Sequence, residues 1–308
     1  MMEQQKTSNI FSPQELFSYS GAEDCRLQSV LDEKLYLSKP IVFNDVNELS
    51  LKYSSSGLLE INEKDLFRAF LTIYDKPFHE LHDNYLLNEE IHTFMLRFFK
   101  TQLELTSEPI LATTRDIMER IHQRLNGALI KCFIPLKNNS LMWAHYGNEF
   151  QGICVHYERK ITILGNNKKF FRNIEYSDRK VQCSLVDVLF KSHELFYKLL
   201  LTKHTDWSYE REVRYCEFPG DEHMNQKKGK LVPIPSALKA TGVTFGTHCA
   251  PDFIVKWATE ILEHGLKCFY LHGFHNPIDL DSSYLINNGR RIREIWERNR
   301  NGMAHKIE

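Results

Sequence analysis

A stretch of helical spacing from Lys64 to about Asn126 separates two strand-rich parts of this chain, and no regular βαβ rhythm joins them. Leu86, Ile91, Phe94, Met95, Phe98 and Phe99 recur at helical spacing, and Ile110, Ile117, Ile121 and Leu125 suggest a second helix. Before the insert, Glu15–Tyr19 and Leu35–Pro40 read as strands, with a short helix near Arg26–Asp32 between them and a turn at Phe43, Asn44 and Asp45. After it, strands are expected at Ala128–Ile134, Gly152–Tyr157, Phe170–Tyr176, Leu231–Pro235 and Gly242–Gly246, with Lys267–Leu271 as the last strand. An amphipathic helix runs from Leu185 toward His204, and a second spans Pro251–Gly265, with proline at its first turn and glycine at its end. Arg290–Arg300 reads as a final charged helix. The pattern predicts an α+β fold with a mixed, largely antiparallel sheet. It places a single domain at 13–278, with the helical insert at 64–126, and a C-terminal extension at 279–308.

Size and charge narrow the function. A chain of 308 residues buries a sizeable core, and a formal net charge of −1 argues against a strongly electrostatic nucleic-acid binder. The polar start, Met1–Ser12, lacks the apolar run of a signal peptide, and no segment approaches the roughly 20 apolar residues that span a bilayer. Seven scattered cysteines without a C-x-x-C pair point to reduced thiols. A cytoplasmic protein without membrane contact is expected.

The segment Trp207–Tyr215 draws most attention. Read as a strand, it puts Tyr209, Arg211, Val213 and Tyr215 on one face and Glu210, Glu212, Arg214 and Cys216 on the other. Two carboxylates and a guanidinium in a row are either a solvated edge or the wall of a cleft. In the second case one carboxylate hydrogen-bonds a ribose hydroxyl or activates a nucleophile and the other orients an acceptor. Trp207 would then supply a stacking surface and Lys203 a phosphate contact. A second cluster, Trp143, His145 and Tyr146, either grips a planar ligand or plugs the core. Phe43-Asn44-Asp45 is either the rim of a pocket or a plain Asx-turn.

No metal site is expected. Glu89/His92 and Glu119/His122 have the spacing of carboxylate–histidine bundles, but no companion helices supply further carboxylates. His79 and His82 are one residue too close for H-E-x-x-H, and His272/His275 lack further ligands. Phosphate-loop, dinucleotide G-x-G-x-x-G and G-x-S-x-G signatures are absent.

These segments together resemble a large bacterial family known only as a domain of unknown function. The likeness rests on Leu16–Tyr19, Leu35–Pro40, Phe43-Asn44-Asp45, Cys132-Phe133, Leu141-Met-Trp143-Ala-His145-Tyr146, Gly152–Cys154, Ile174–Asp178, Lys203, Trp207-x-Tyr209-Glu210-x-Glu212-x-Arg214 and Val243–Gly246, and so spans about 15–275. Some members resemble abortive-infection or other phage-defence proteins. A more distant resemblance is to ADP-ribosyltransferases, whose E-x-E variety acts on NAD. That resemblance implies that Glu212 hydrogen-bonds the nicotinamide ribose and Glu210 orients the acceptor. Tyr19, Ser38, Asn44, Trp143, His145, Tyr146, Trp207 and Arg214 would contribute to NAD binding. Ser18 and Tyr19 stand where those enzymes carry a first-strand His or Arg, a departure that Arg26 or an aromatic contact would have to make good. The implied activity is transfer or NAD glycohydrolysis, with a protein or nucleic-acid acceptor and a neutralising partner protein. Two other readings are a module that senses a nucleotide or phage protein without chemistry, and a metal-dependent phosphate-handling enzyme such as a nuclease.

Overall fold

The computed structural model describes residues 14–43, 45, 48, 49, 51–54, 108–137, 139–160, 169–184, 187, 188, 192–218, 228–272, 276–281 and 297. Asn44, most of the helical insert and all but one residue of the charged C-terminal helix lie outside them.

Two five-stranded sheets organise the fold. The first orders β1 (Gln14–Ser20), β5 (Ile153–Arg159), β12 (Leu238–Phe245), β13 (Lys267–His272) and β14 (Asn276–Asp279). Within it the β12–β13 pair is parallel and the rest antiparallel. The second orders β11 (Gly229–Pro233), β2 (Lys34–Ser38), β4 (Leu129–Phe133), β10 (Val213–Glu217) and β6 (Lys169–Asn173), all antiparallel. Two small parallel pairs flank them, β3 (Leu51–Ser54) with β8 (Val181–Ser184) and β7 (Glu175–Tyr176) with β9 (Thr202–Lys203). This mixed, largely antiparallel α+β architecture is the one expected, although β14 adds a strand beyond the one read as last.

Burial explains the placements. Ile153–Tyr157 is a continuously buried run, apolar but for His156, because β5 sits between β1 and β12 and is covered on both faces. Ile153, Val155 and Tyr157 join the core shared by the two sheets, while Cys154 packs with Trp143 on the opposite side. Helix α1 (Asp24–Leu31) buries Leu27 and Val30. Its Asp24 accepts a bond from Trp257 Nε1 at 2.6 Å, tying it to α5 (Pro251–Glu263). Helix α5 starts on Pro251 and stops where Gly265 turns to φ 72° and donates to Leu262 while Leu266 donates to Ile261. Helices α2 (Glu108–Gly127) and α4 (Ser192–Leu201) form a second core through Ile121, Leu125, Phe196 and Leu199, which Ile130 and Cys216 join. The short helix α3 (Ser140–His145) is capped by Asn139, whose side chain accepts from the amides of Leu141 and Met142.

One irregularity positions the site. Strand β2 meets β4 at a single register position, Ser38 opposite Ile130. At the other end of β4, Phe17 of β1 and Ile134 exchange two backbone bonds of 2.8 and 2.9 Å. Between these points the edge of β4 faces no strand among the described residues, and the two sheets part.

Candidate functional site

The parting of β2 from β4 opens a cleft of about 340 Å³. Ser18–Gly21 of β1 and its exit, Ser38, Lys131 and Cys132 line it, together with Tyr146, Lys203, Glu210, Glu212 and Arg214. Ile134 turns its N–H and C=O toward β1, so the two-residue strand period aims those of Cys132 the same way, into the gap.

The polar face of the cleft is reached differently from the strand expected over Trp207–Tyr215. Thr205–Glu210 is a 3-10 turn, begun by His204, whose ring accepts the Asp206 amide. Arg211 then takes a left-handed conformation at φ 47°, and strand β10 begins only at Val213. The face shared by Tyr209, Arg211, Val213 and Tyr215 therefore does not form. The alternative of a solvated edge is also overturned, because β10 is an interior strand and Glu210, Glu212 and Arg214 are 3%, 2% and 0% exposed. Alternating charges here mark a buried ionic network instead of a sheet surface.

That network is dense. Lys203 Nζ donates to Glu210 Oε2 at 2.8 Å and to Glu212 Oε2 at 3.3 Å, and lies 4.7 Å from the centre of the Trp207 ring. Arg214 Nε donates to Glu212 Oε1 at 2.7 Å, and its other nitrogens reach the Leu200 carbonyl and Glu48. Tyr146 Oη donates to Glu210 Oε1 at 2.8 Å, and the Glu212 amide donates to Tyr176 Oη at 2.8 Å. The Cys132 thiol lies close enough to Glu212 to influence its carboxyl.

Three carboxylates, Glu48, Glu210 and Glu212, thus face two cations, Lys203 and Arg214, with Asp45 close to the guanidinium. The imbalance shows in the acid–base properties. Burial, with the Glu210 charge adding to it, lifts the Glu212 carboxyl above the usual carboxylate range, against the pull of Lys203 and the Cys132 thiol. Burial opposes the charge on Lys203, but Glu212 and Glu210 outweigh it and hold the ammonium above its ordinary value. Burial lowers Arg214 to about 10, so it stays charged at neutral pH. Burial and then the Glu212 charge push the Cys132 thiol well up. A carboxyl of raised proton affinity, a fixed cation and a neutral thiol meet at one wall.

A positive group adjoins it. Lys131 and Arg26 both line the cleft, close enough for Arg26 to help burial lower the Lys131 ammonium to about 8. Arg26 is half-exposed and contacts Glu23 at 3.2 Å. Lys131 meets no acidic partner among the described residues.

The structure brings together Tyr19, Ser38, Tyr146, Glu210, Glu212 and Arg214 at this cleft. It sets three expected residues apart. Trp143 is 1% exposed and packs edge-on against Tyr19 and flat against Phe150, so it braces the cleft wall from behind and offers no stacking surface. His145 is exposed and groups with Trp207 and Tyr209, outside the cleft lining. Trp207 is half-buried, with its face given to Lys203. Lys203 itself is clamped between carboxylates, which corrects its reading as a phosphate contact. Asn44 lies outside the described residues. Glu48, Lys131 and the inward-facing Cys132 main chain had no role in the sequence reading. Only Cys132, as part of the Cys132-Phe133 motif, carried a signal.

Among the described residues no group of three or more His, Cys, Asp or Glu side chains is placed to hold a metal ion, and no helix is long and apolar enough to cross a membrane. No curated protein and no solved structure matches the chain. Residues 142–215, which carry Tyr146, Lys203, Glu210, Glu212 and Arg214, are similar to the family described as protein of unknown function (DUF2971).

Proposed function

We propose that the cleft binds NAD and that the protein is an ADP-ribosyltransferase-like enzyme, acting as a transferase or as a glycohydrolase. The observation that carries the reading is the convergence of Glu210 and Glu212 on one cleft with Tyr19 of the first strand and Ser38 of the second. The charge distribution supports it. A desolvated wall with more carboxylate than cation suits the positive nicotinamide ring and the oxocarbenium-like ribose that forms as the ring departs. Lys131 and Arg26 suit the pyrophosphate, and Arg26 stands in for the cation missing from the first strand. The Cys132 main chain offers one donor and one acceptor, the pair a carboxamide needs.

In this reading the ribose C1′–N bond breaks and its electron pair stays on the nicotinamide nitrogen, which leaves neutral. The acceptor oxygen, from water or a hydroxyl, forms the new bond to C1′ and passes its proton to the Glu210 carboxylate. Glu212 holds the ribose and stabilises its developing charge. Lys203 and Arg214 fix both carboxylates in orientation, so little reorganisation accompanies the reaction. A bacterial defence or toxin setting accords with the resemblance read from the sequence.

The test is incubation with NAD, with and without cell extract, reading nicotinamide release by mass spectrometry. Release that vanishes in Glu212→Gln supports the assignment. No release from folded protein under any condition overturns it. One observation favours a second reading in that event: every oxygen of Glu210 and Glu212 already accepts from Lys203, Arg214 or Tyr146. Such a saturated wall also suits a module that senses a nucleotide without cleaving it.

A further inference from the structure

A second cavity, of about 230 Å³, lies against the first and shares Glu48 and Lys203 with it. Its remaining wall comes from the turn Ser177–Lys180 between β7 and β8, from β9 and from Leu199 of α4. The turn is held in shape. Ser177 donates its amide to the Lys203 carbonyl, its hydroxyl accepts the Arg179 amide at 3.1 Å, and Asp178 accepts from Thr205. Asp178 and His204 are both engaged, the latter as acceptor of the Asp206 amide. Arg179 and Lys180 are exposed, and neither meets an acidic partner among the described residues. The cavity therefore offers two uncommitted cations on a fixed turn, with Lys203 as the partition between it and the carboxylate wall.

We propose that this cavity is the acceptor subsite, and that the acceptor carries a phosphate monoester which docks on Arg179 and Lys180. The inference rests on the NAD reading of the first cleft. Displacement at the ribose carbon needs the acceptor on the side away from the departing ring, and a cavity on the far side of Lys203 and Glu48 supplies a separate approach. Two adjacent cations on a rigid turn recognise a dianion through charge-assisted bonds, whereas a neutral hydroxyl finds little there to hold it.

The test titrates the full chain by calorimetry with inorganic phosphate, with a 5′-phosphorylated dinucleotide and with its dephosphorylated counterpart. The wild-type protein is compared with Arg179→Ala/Lys180→Ala, two exposed positions whose replacement leaves the core untouched. Phosphorylated dinucleotide binding weakened tenfold or more in the double variant, and undisturbed by saturating NAD, supports the subsite. Inorganic phosphate binding as tightly as the dinucleotide identifies phosphate alone as the recognised group, and tighter dinucleotide binding identifies a nucleotide end. Equal binding by variant and wild type, or displacement of the probe by NAD, overturns the proposal. These outcomes are independent of nicotinamide release, so a failed NAD assay and a failed subsite are told apart.

Discussion

Lys203 Nζ and Glu210 Oε2 lie 2.8 Å apart, both buried, at the hub of the network that joins β9, the 3-10 turn and β10. The same ammonium also neutralises Glu212 at 3.3 Å. Removing one member of a buried pair leaves an unpaired charge, which costs about 3–5 kcal/mol, more than the pair contributes relative to an apolar isostere. Lys203→Met is therefore expected to destabilise the fold by that amount in urea denaturation. Lys203→Met/Glu210→Gln is expected to lose less than the sum of the two single changes, because the second removes a charge that the first has stranded.

Two neighbouring positions of one motif are expected to respond in opposite ways. Trp143 fills the space between Tyr19 and Phe150 at 1% exposure, so Trp143→Ala opens a cavity costing about 3–5 kcal/mol. His145, exposed two residues later on the same helix, is expected to tolerate Ala within about 0.5 kcal/mol. Equilibrium unfolding of the two variants side by side checks the contrast. Comparable losses would mean that His145 carries packing its exposure does not show.

Much of this arrangement was legible in the sequence, and the failures share a cause. The apolar run of β5 and the Pro251 and Gly265 boundaries of α5 are local signals with local causes, and they read correctly. The Glu210-x-Glu212-x-Arg214 spacing also pointed to one site, but by the wrong geometry. Polar alternation imitates a half-buried strand, whereas here the charges are answered by Lys203, on a separate strand, and by Glu48, far back in the sequence, partners that periodicity cannot register. The expected Trp143 stacking surface failed similarly, since an aromatic near a polar cluster looks the same whether it faces the ligand or braces the wall. The split between β2 and β4, which creates the cleft, depends on where two strands stop pairing and left no trace in composition.

Cysteine chemistry gives a test of the cleft's electrostatics. Cys25 and Cys132 are the thiols open to solvent among the described residues, Cys25 at the surface and Cys132 through the mouth of the cleft. Desolvation between the cleft walls, with the nearby Glu212 charge adding to it, raises the Cys132 thiol, so it carries little thiolate at neutral pH. Iodoacetamide at pH 7.5 is expected to modify Cys25 first, as read by peptide mass mapping. Glu212→Gln removes the charge that opposes the thiolate and is expected to speed modification of Cys132. Unchanged kinetics would show that Glu212 does not govern this thiol.

His156 predicts the acid limb of the stability curve. It is 8% exposed on β5, bonded through Nε2 to Thr244 Oγ1 at 2.8 Å and stacked on Phe269. Burial, with Lys137 and Lys267 adding repulsion, lowers its value from 6.5 to about 3. The folded state therefore prefers the neutral ring. This contribution to stability is complete above pH 6.5 and drains away as the pH falls toward 3, because the unfolded chain takes up the proton first. The slope approaches about 1.4 kcal/mol per pH unit for a single proton. Denaturation midpoints measured from pH 7 to 4 are expected to fall, and more shallowly in His156→Gln, whose side chain keeps a polar partner for Thr244 and does not titrate. Carboxylates of depressed value elsewhere, such as Asp24, add their own acid loss in both proteins, so the difference between the two curves isolates the imidazole. Parallel curves would mean that His156 titrates alike in the folded and unfolded chains, and that the packing of Phe269 and the two lysines around it exerts no hold on its proton.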